Sequence, residues 1–216
     1  MNKFLFLVAA LALLVVGGVA VLVTPVTAGN KDVTTADVFE FDPFPVHGEQ
    51  VEGAQARLKT DEEGANLQLK TSGLEPGTAV TVWWVLFNQP ENCEGYPDTS
   101  CGLADLENPD VAAEITYATG TVIGRNGKAN FKAELAVGHT DQEWFGNGFT
   151  NPTGAEIHAI VHTHGQVIAG LEDNMISTFR GGCGDDEMIA PGHPAYDDGI
   201  PGPNKCEDLQ FAVLQQ

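Results

Sequence analysis

Ala113-Glu114-Ile115-Thr116-Tyr117-Ala118-Thr119-Gly120-Thr121-Val122 leads through Gly124-Arg125-Asn126-Gly127 into Asn130-Phe131-Lys132-Ala133-Glu134-Leu135. Both flanking runs alternate in the manner of half-buried strands, where successive side chains point to opposite faces. Asn-Gly between such runs is the strongest short-range hairpin signal, because both residues tolerate positive φ. The stretch predicts two antiparallel strands joined at residues 126–127.

The same grammar repeats outward from this turn. Toward the N-terminus the strand-like runs are 38–41, 54–59, 65–70 and 79–87. They are punctuated by Thr60-Asp61-Glu62-Glu63-Gly64 and by Ser72-Gly73-Leu74-Glu75-Pro76-Gly77. Toward the C-terminus come 156–164, 175–179 and 209–214. This makes about nine short strands, with room for one helical turn in 103–113 and no amphipathic helix. Frequent short strands with turn signals between them predict an all-β fold: an antiparallel, Greek-key-like β-sandwich with disulfide-stapled loops. With 216 residues and 43% hydrophobic composition, the chain suffices for one domain with its own core. The reading is a leader over 1–28 and a single domain over 29–216.

The leader reading rests on a short basic start at Met1-Asn2-Lys3, an apolar or Gly run over 4–23, and small residues Val26 and Ala28 before Gly29. That is the pattern of a cleaved signal peptide. The run also reaches the roughly 20 residues that span a bilayer, so an uncleaved N-terminal anchor is the alternative, and contact with a membrane is expected in that case alone. Either way the expected location is extracytoplasmic, secreted or periplasmic. Four cysteines in an exported chain predict two disulfides, and of the three pairings Cys93–Cys101 and Cys183–Cys206 are favoured. Each closes a Gly/Pro/Asp-rich loop between strand-like runs.

A formal charge of −20 excludes a phosphate-binding face and docking on anionic lipid, so no nucleic-acid partner is expected. The acid-rich segments 185–187 and 197–198 raise calcium. No D-x-[DN]-x-[DN]-G loop is present, and a solvated acidic surface is the preferred reading.

Run 79–87 is apolar on both faces, with Thr81 its one polar residue. A sandwich strand needs one buried face, so something must cover the other. The disulfide loop over 88–105 is the preferred cover. The alternative is an interface or ligand platform anchored by Trp83.

Three of the six histidines fall within Glu156-Ile157-His158-Ala159-Ile160-Val161-His162-Thr163-His164. Period two puts Glu156, His158, His162 and His164 on one face, interrupted by Ile160. Alternate strand residues lie about 6.5–7 Å apart, which suits His162 and His164 gripping one cation. Imidazole is the commonest protein ligand for zinc and copper(II), so copper or zinc is the expected metal, with His158 or Glu156 assisting. His47, His139, His193 and Asp197 are further residues that fit a converging set. The plainer reading is that the histidines line a half-exposed face and hydrogen-bond there. No G-x-S-x-G elbow, phosphate loop or free cysteine points to other chemistry.

Two resemblances follow from longer motifs. Gly73-Leu74-Glu75-Pro76-Gly77, Thr81-Val82-Trp83-Trp84-Val85 with Asn88 and Pro90, and Tyr117-Ala118-Thr119-Gly120 resemble a group of uncharacterised exported bacterial proteins. So do Gly154-Ala155-Glu156-Ile157-His158, Gly181-Gly182-Cys183 and Cys206-Glu207-Asp208-Leu209-Gln210-Phe211-Ala212-Val213. That resemblance implies a shared fold and no activity. The G-L-x-P-G turn before a strand is also similar to copper/zinc superoxide dismutases and chordin-type domains, which are Greek-key sandwiches. In the dismutases the following strand carries an H-x-H copper pair; here it reads Trp84-Val85-Leu86, and no dismutase ligand is carried over.

The functional expectation is an extracytoplasmic binding protein that holds copper or zinc on this histidine cluster, its partner an unidentified small ligand or protein. The alternatives are a structural or adhesive module using the Trp83 face, and a metal-dependent redox enzyme.

Overall fold

The computed structural model describes residues 32–41, 48–138, 143–146, 148–184 and 197–215. The leader, His47, His139, His193 and the acidic triplet 185–187 lie outside the described residues. Among the described residues there are nine strands: β1 (Asp32–Glu40), β2 (Gln50–Asp61), β3 (Gly64–Thr71), β4 (Thr78–Phe87), β5 (Ala113–Val122), β6 (Ala129–Ala136), β7 (Glu143–Phe145), β8 (Glu156–Gln166) and β9 (Glu207–Leu214). One helical turn, α1 (Glu172–Met175), and two short 3-10 turns, at Pro90–Asn92 and Leu103–Asp105, complete the set.

All neighbours are antiparallel, in the order β6-β3-β2-β1-β9-β8-β4-β5-β7. The non-consecutive neighbours β3/β6, β1/β9, β4/β8 and β5/β7 mark the crossovers of a Greek-key-like sandwich. The sheet curls until β5 packs against β6, giving a near-barrel. Its interior is filled by alternate residues of nearly every strand, among them Leu58, Leu69, Val82, Trp84, Phe131, Ile157, Val161 and Leu214.

Two expectations need correcting. The turn at 124–127 forms as read: Gly127 has φ +63° and its N–H bonds the Gly124 carbonyl at 3.0 Å. Its strands do not pair with each other. β5 pairs with β4 and β7, and β6 pairs with β3. The Asn-Gly turn is therefore a corner at the seam of the near-barrel. The rule behind the hairpin reading is local, whereas partners are chosen by how the whole sheet closes. Run 175–179 is not a strand. It starts on the last residue of α1, Met175, and crosses the outside of the sheet, where the Ile176 carbonyl accepts a 2.7 Å bond from the Tyr117 hydroxyl. Gly120 on β5 makes this passage feasible, because a Cβ there would stand 2.0 Å from the Ile176 oxygen. The strand missing from the sequence reading is β7, too short to show a period.

The strands divide by burial. β6 alternates cleanly between buried and exposed residues, as expected of a sheet with one face in water. β4 and β8 are buried on both faces along almost their whole length. Two covers lie over their outer face. At one end sits the loop between β4 and β5, stapled by Cys93–Cys101 and packed on Phe87 through Cys101 and Val111. At the other sits the segment after β8, including α1 and Phe179 and stapled by Cys183–Cys206. The expected cover of 79–87 by the disulfide loop is thus one of two. Asn88 anchors the first. Buried, it donates from Nδ2 to the carbonyls of Ala112 (2.7 Å) and Gly148 (3.0 Å), and its Oδ1 accepts the N–H groups of Thr150 and Asn151.

Candidate functional site: an apolar cavity beside a histidine cluster

The register of β5, β4, β8 and β9 lays four rows of side chains across the covered outer face. Thr81, His162 and Asp208 form the first. Tyr117, Trp83, Ile160 and Phe211 form the second. Ile115, Val85 and His158 make the third, and Ala113, Phe87 and Glu156 the fourth. Between the two covers, above the middle rows, lies a cavity of about 220 Å³. Trp83, Val85, Ile115 and Ile160 are its floor. Leu103 and Leu106 of the disulfide loop, Trp144, Phe179, Phe41 and Phe211 form its walls. Leu103 is 64% exposed, an apolar side chain left at the rim. The polar lining side chains are His158 and Asp208.

Trp83 does not serve as an exposed anchor. It is 3% exposed, packed at a tilt of 32° against Trp144 with 4.2 Å between ring centroids, and edge-on to Tyr117 and Phe179. Its indole N–H is held by the Thr81 hydroxyl at 2.8 Å. The alternative of an exposed interface anchored by Trp83 is therefore corrected: its ring lies in the cavity floor, packed by Tyr117 of β5, Trp144 of β7 and Phe179 of the second cover. Trp84 faces the barrel core, on the opposite side of β4.

The four in-phase residues of β8 do share the outer face, but the structure divides them into two pairs. At one end Glu156 is a buried clamp. Its Oε1 accepts the Cys101 N–H at 2.7 Å and lies 2.6 Å from His158 Nε2; its Oε2 accepts from Gln215 at 2.8 Å. It ties the disulfide loop and the last residues of the chain to β8. His158 packs on Phe87 and presents its ring to the cavity.

At the other end His162 and His164 stand edge to face, 5.1 Å between centroids, with no exposed surface on either. His164 is fully committed. Its Nδ1 bonds the Gly181 carbonyl, which can only accept, at 2.9 Å, so Nδ1 carries the proton. Its Nε2 then accepts from the Thr81 hydroxyl at 2.9 Å, and that oxygen accepts the Trp83 indole N–H. Burial pushes the His164 imidazole down to about 3; the adjacent His162 adds to this, and the Gly181 bond offsets part of it. His162 differs. Its Nδ1 meets Asp208 Oδ1 at 2.7 Å, its ring stacks on Phe179 at 4.6 Å, and its Nε2 is buried with no partner. A carboxylate on one imidazole nitrogen fixes the tautomer and turns the other toward a ligand.

His162, His164, Cys183 and Cys206 place one ligand atom each within 4.8 Å of one another. The two cysteines are joined to each other, and disulfide sulfur lacks the thiolate charge that binds metal. Of the four ring nitrogens of the two histidines, His162 Nε2 alone has no hydrogen-bond partner.

Sequence reasoning missed Asp208 and Phe179. Asp208 becomes legible once β9 is known to pair with β8 opposite His162, and Phe179 looked like a strand residue. No protein-family model matches this chain, and no curated protein is similar to it.

Proposed function

We propose that the protein is an extracytoplasmic binding protein for a small apolar molecule of one or two rings. The observation that supports this most is the 220 Å³ cavity between the covers, lined almost wholly by aromatic and aliphatic side chains. An engineered apolar cavity of about 150 Å³ takes up benzene, so this volume suits a naphthalene-sized guest. His158 and Asp208, on rows either side of Ile160, offer that guest one polar contact at each end of the cavity. The two disulfides fit an oxidising compartment. Among the described residues no helix is long and apolar enough to cross a membrane.

The test is titration of disulfide-intact protein with 1-aminonaphthalene, read by probe and tryptophan fluorescence. Saturable one-to-one binding is expected in the wild type. In Ile160→Trp, which fills the floor, binding falls at least tenfold while the thermal transition is retained. Absence of saturable binding by the wild type, or equal binding by Ile160→Trp, rejects the cavity reading.

A second reading is copper or zinc held by His162 and His164. The buried, unpartnered His162 Nε2, backed by Asp208, favours it. Metal content of protein purified without a His-tag, beside His162→Ala, tests it: near-stoichiometric metal lost in the variant is the expected result.

A further inference from the structure

We propose that the Cys183–Cys206 disulfide gates a metal site, and that its reduction creates a four-ligand site for a zinc-class divalent ion from His162, His164, Cys183 and Cys206. This rests on the metal reading of the two histidines and adds to it the donor set and its control.

The geometry already gathers the ligands. A tetrahedral ion with bonds near 2.0 Å to nitrogen and 2.3 Å to sulfur sets its ligand atoms roughly 3.3–3.8 Å apart. Here all four donors lie within 4.8 Å of one another, and Cys183 Sγ is 3.5 Å from His164 Nδ1. Shifts of about an ångström at each donor complete the set, the two sulfurs moving apart once their bond is cut and the other donors drawing in. The independent observation is His162: a fully buried imidazole whose Nε2 has no partner is costly to leave so, and Asp208 holds its other nitrogen in the manner of a ligating histidine.

His164 joins by changing tautomer. Its Nδ1 gives up the Gly181 bond and its proton moves to Nε2. The Thr81 hydroxyl accommodates the change because it can accept where it had donated.

The gate opens by thiol–disulfide exchange with a dithiol reductant. Cys206 is partly exposed and Cys183 is buried, so the incoming thiolate attacks the Cys206 sulfur. The S–S bond breaks, the electron pair leaves on Cys183, and a mixed disulfide forms on Cys206. The reductant's second thiol resolves it. One protein disulfide and one dithiol become two protein thiols and one reductant disulfide. The ion then binds the two thiolates with release of two protons, leaving the site neutral.

Cobalt(II) is the probe, added to full-length protein before and after reduction. Reduced protein is expected to bind one equivalent with thiolate-to-cobalt charge-transfer absorption; disulfide-intact protein, left with the two histidines, is expected to lack that absorption and to bind more weakly. Asp208→Asn should weaken the reduced site by about 10–100-fold, the range for partners of a ligating histidine. Cys183→Ser/Cys206→Ser should abolish the absorption, which also excludes Cys93 and Cys101 as its source. Equal affinity before and after reduction overturns the gate and leaves the histidine reading standing. No binding in either state overturns both. If reduction alone unfolds the chain, it is repeated with one equivalent of zinc. Recovery of the native circular-dichroism spectrum supports the site, and failure to recover overturns it.

Discussion

At His164 both ring nitrogens are engaged, and burial holds the imidazole neutral down to about pH 3. The sign of the consequence follows from linkage. Above about pH 6.5 neither the folded nor the unfolded chain binds a proton at this ring. Below that, the unfolded chain takes one up and the folded chain does not. Stability is therefore complete above 6.5 and is lost as pH falls toward 3, by up to about 1.4 kcal/mol per unit. Urea unfolding at pH 7 and pH 5 measures this: the wild type should lose about 2 kcal/mol more than His164→Gln. An equal loss would mean that the native ring does take up the proton. The pattern of β8 reveals that His162 and His164 share a face. It does not reveal that one is saturated and the other is not, because that depends on Thr81, Gly181 and Asp208, brought in by other segments.

The two covers carry the argument at the scale of elements. Asn88 uses both sides of its amide to hold the end of β4 against residues 112 and 148–151, and no other side chain combines that donor pair with an acceptor at that reach. Asn88→Ala strands several buried backbone groups and should cost about 2–4 kcal/mol, seen as a lower denaturant midpoint with unchanged slope. The loop between β4 and β5 depends further on Cys93–Cys101 and on the Glu156 clamp. Cys93→Ser/Cys101→Ser should lose about 2.5 kcal/mol by the loop-entropy argument and weaken 1-aminonaphthalene binding, since Leu103 and Leu106 would no longer be held over the cavity. Unchanged probe affinity would show that the loop is not a working wall. The need for a cover was legible in 79–87, where both faces are apolar. That a second cover comes from 167–184 was not, because Phe179 reaches Trp83 through a turn with no period of its own.

For the whole molecule, the sheet has a one-sided half and a two-sided half. β6, β3 and β2 show water their polar faces, while β4 and β8 are buried on both. Local opening needs few contacts to be lost in the first half and many in the second. Amide hydrogen exchange should therefore find the slowest protons in β4 and β8, exchanging at the global unfolding free energy, and faster ones along β6. Uniform protection across the sheet would contradict this division. The Asn126-Gly127 corner belongs to the same scale: its turn is set locally, but β5 and β6 find their partners on opposite sides of the seam.

Alternation and turn residues alone determined the fold class, eight of the nine strands and the common face of Glu156, His158, His162 and His164. Those signals are local, resting on the period of a strand and the φ demands of a turn. The pairing of β5 with β4, the placing of Asp208 behind His162, the cavity over Trp83 and the meeting of two histidines with a disulfide were decided by tertiary structure. Each joins segments tens of residues apart, and contact between such segments follows from how a curled sheet closes and what must cover its apolar outer face.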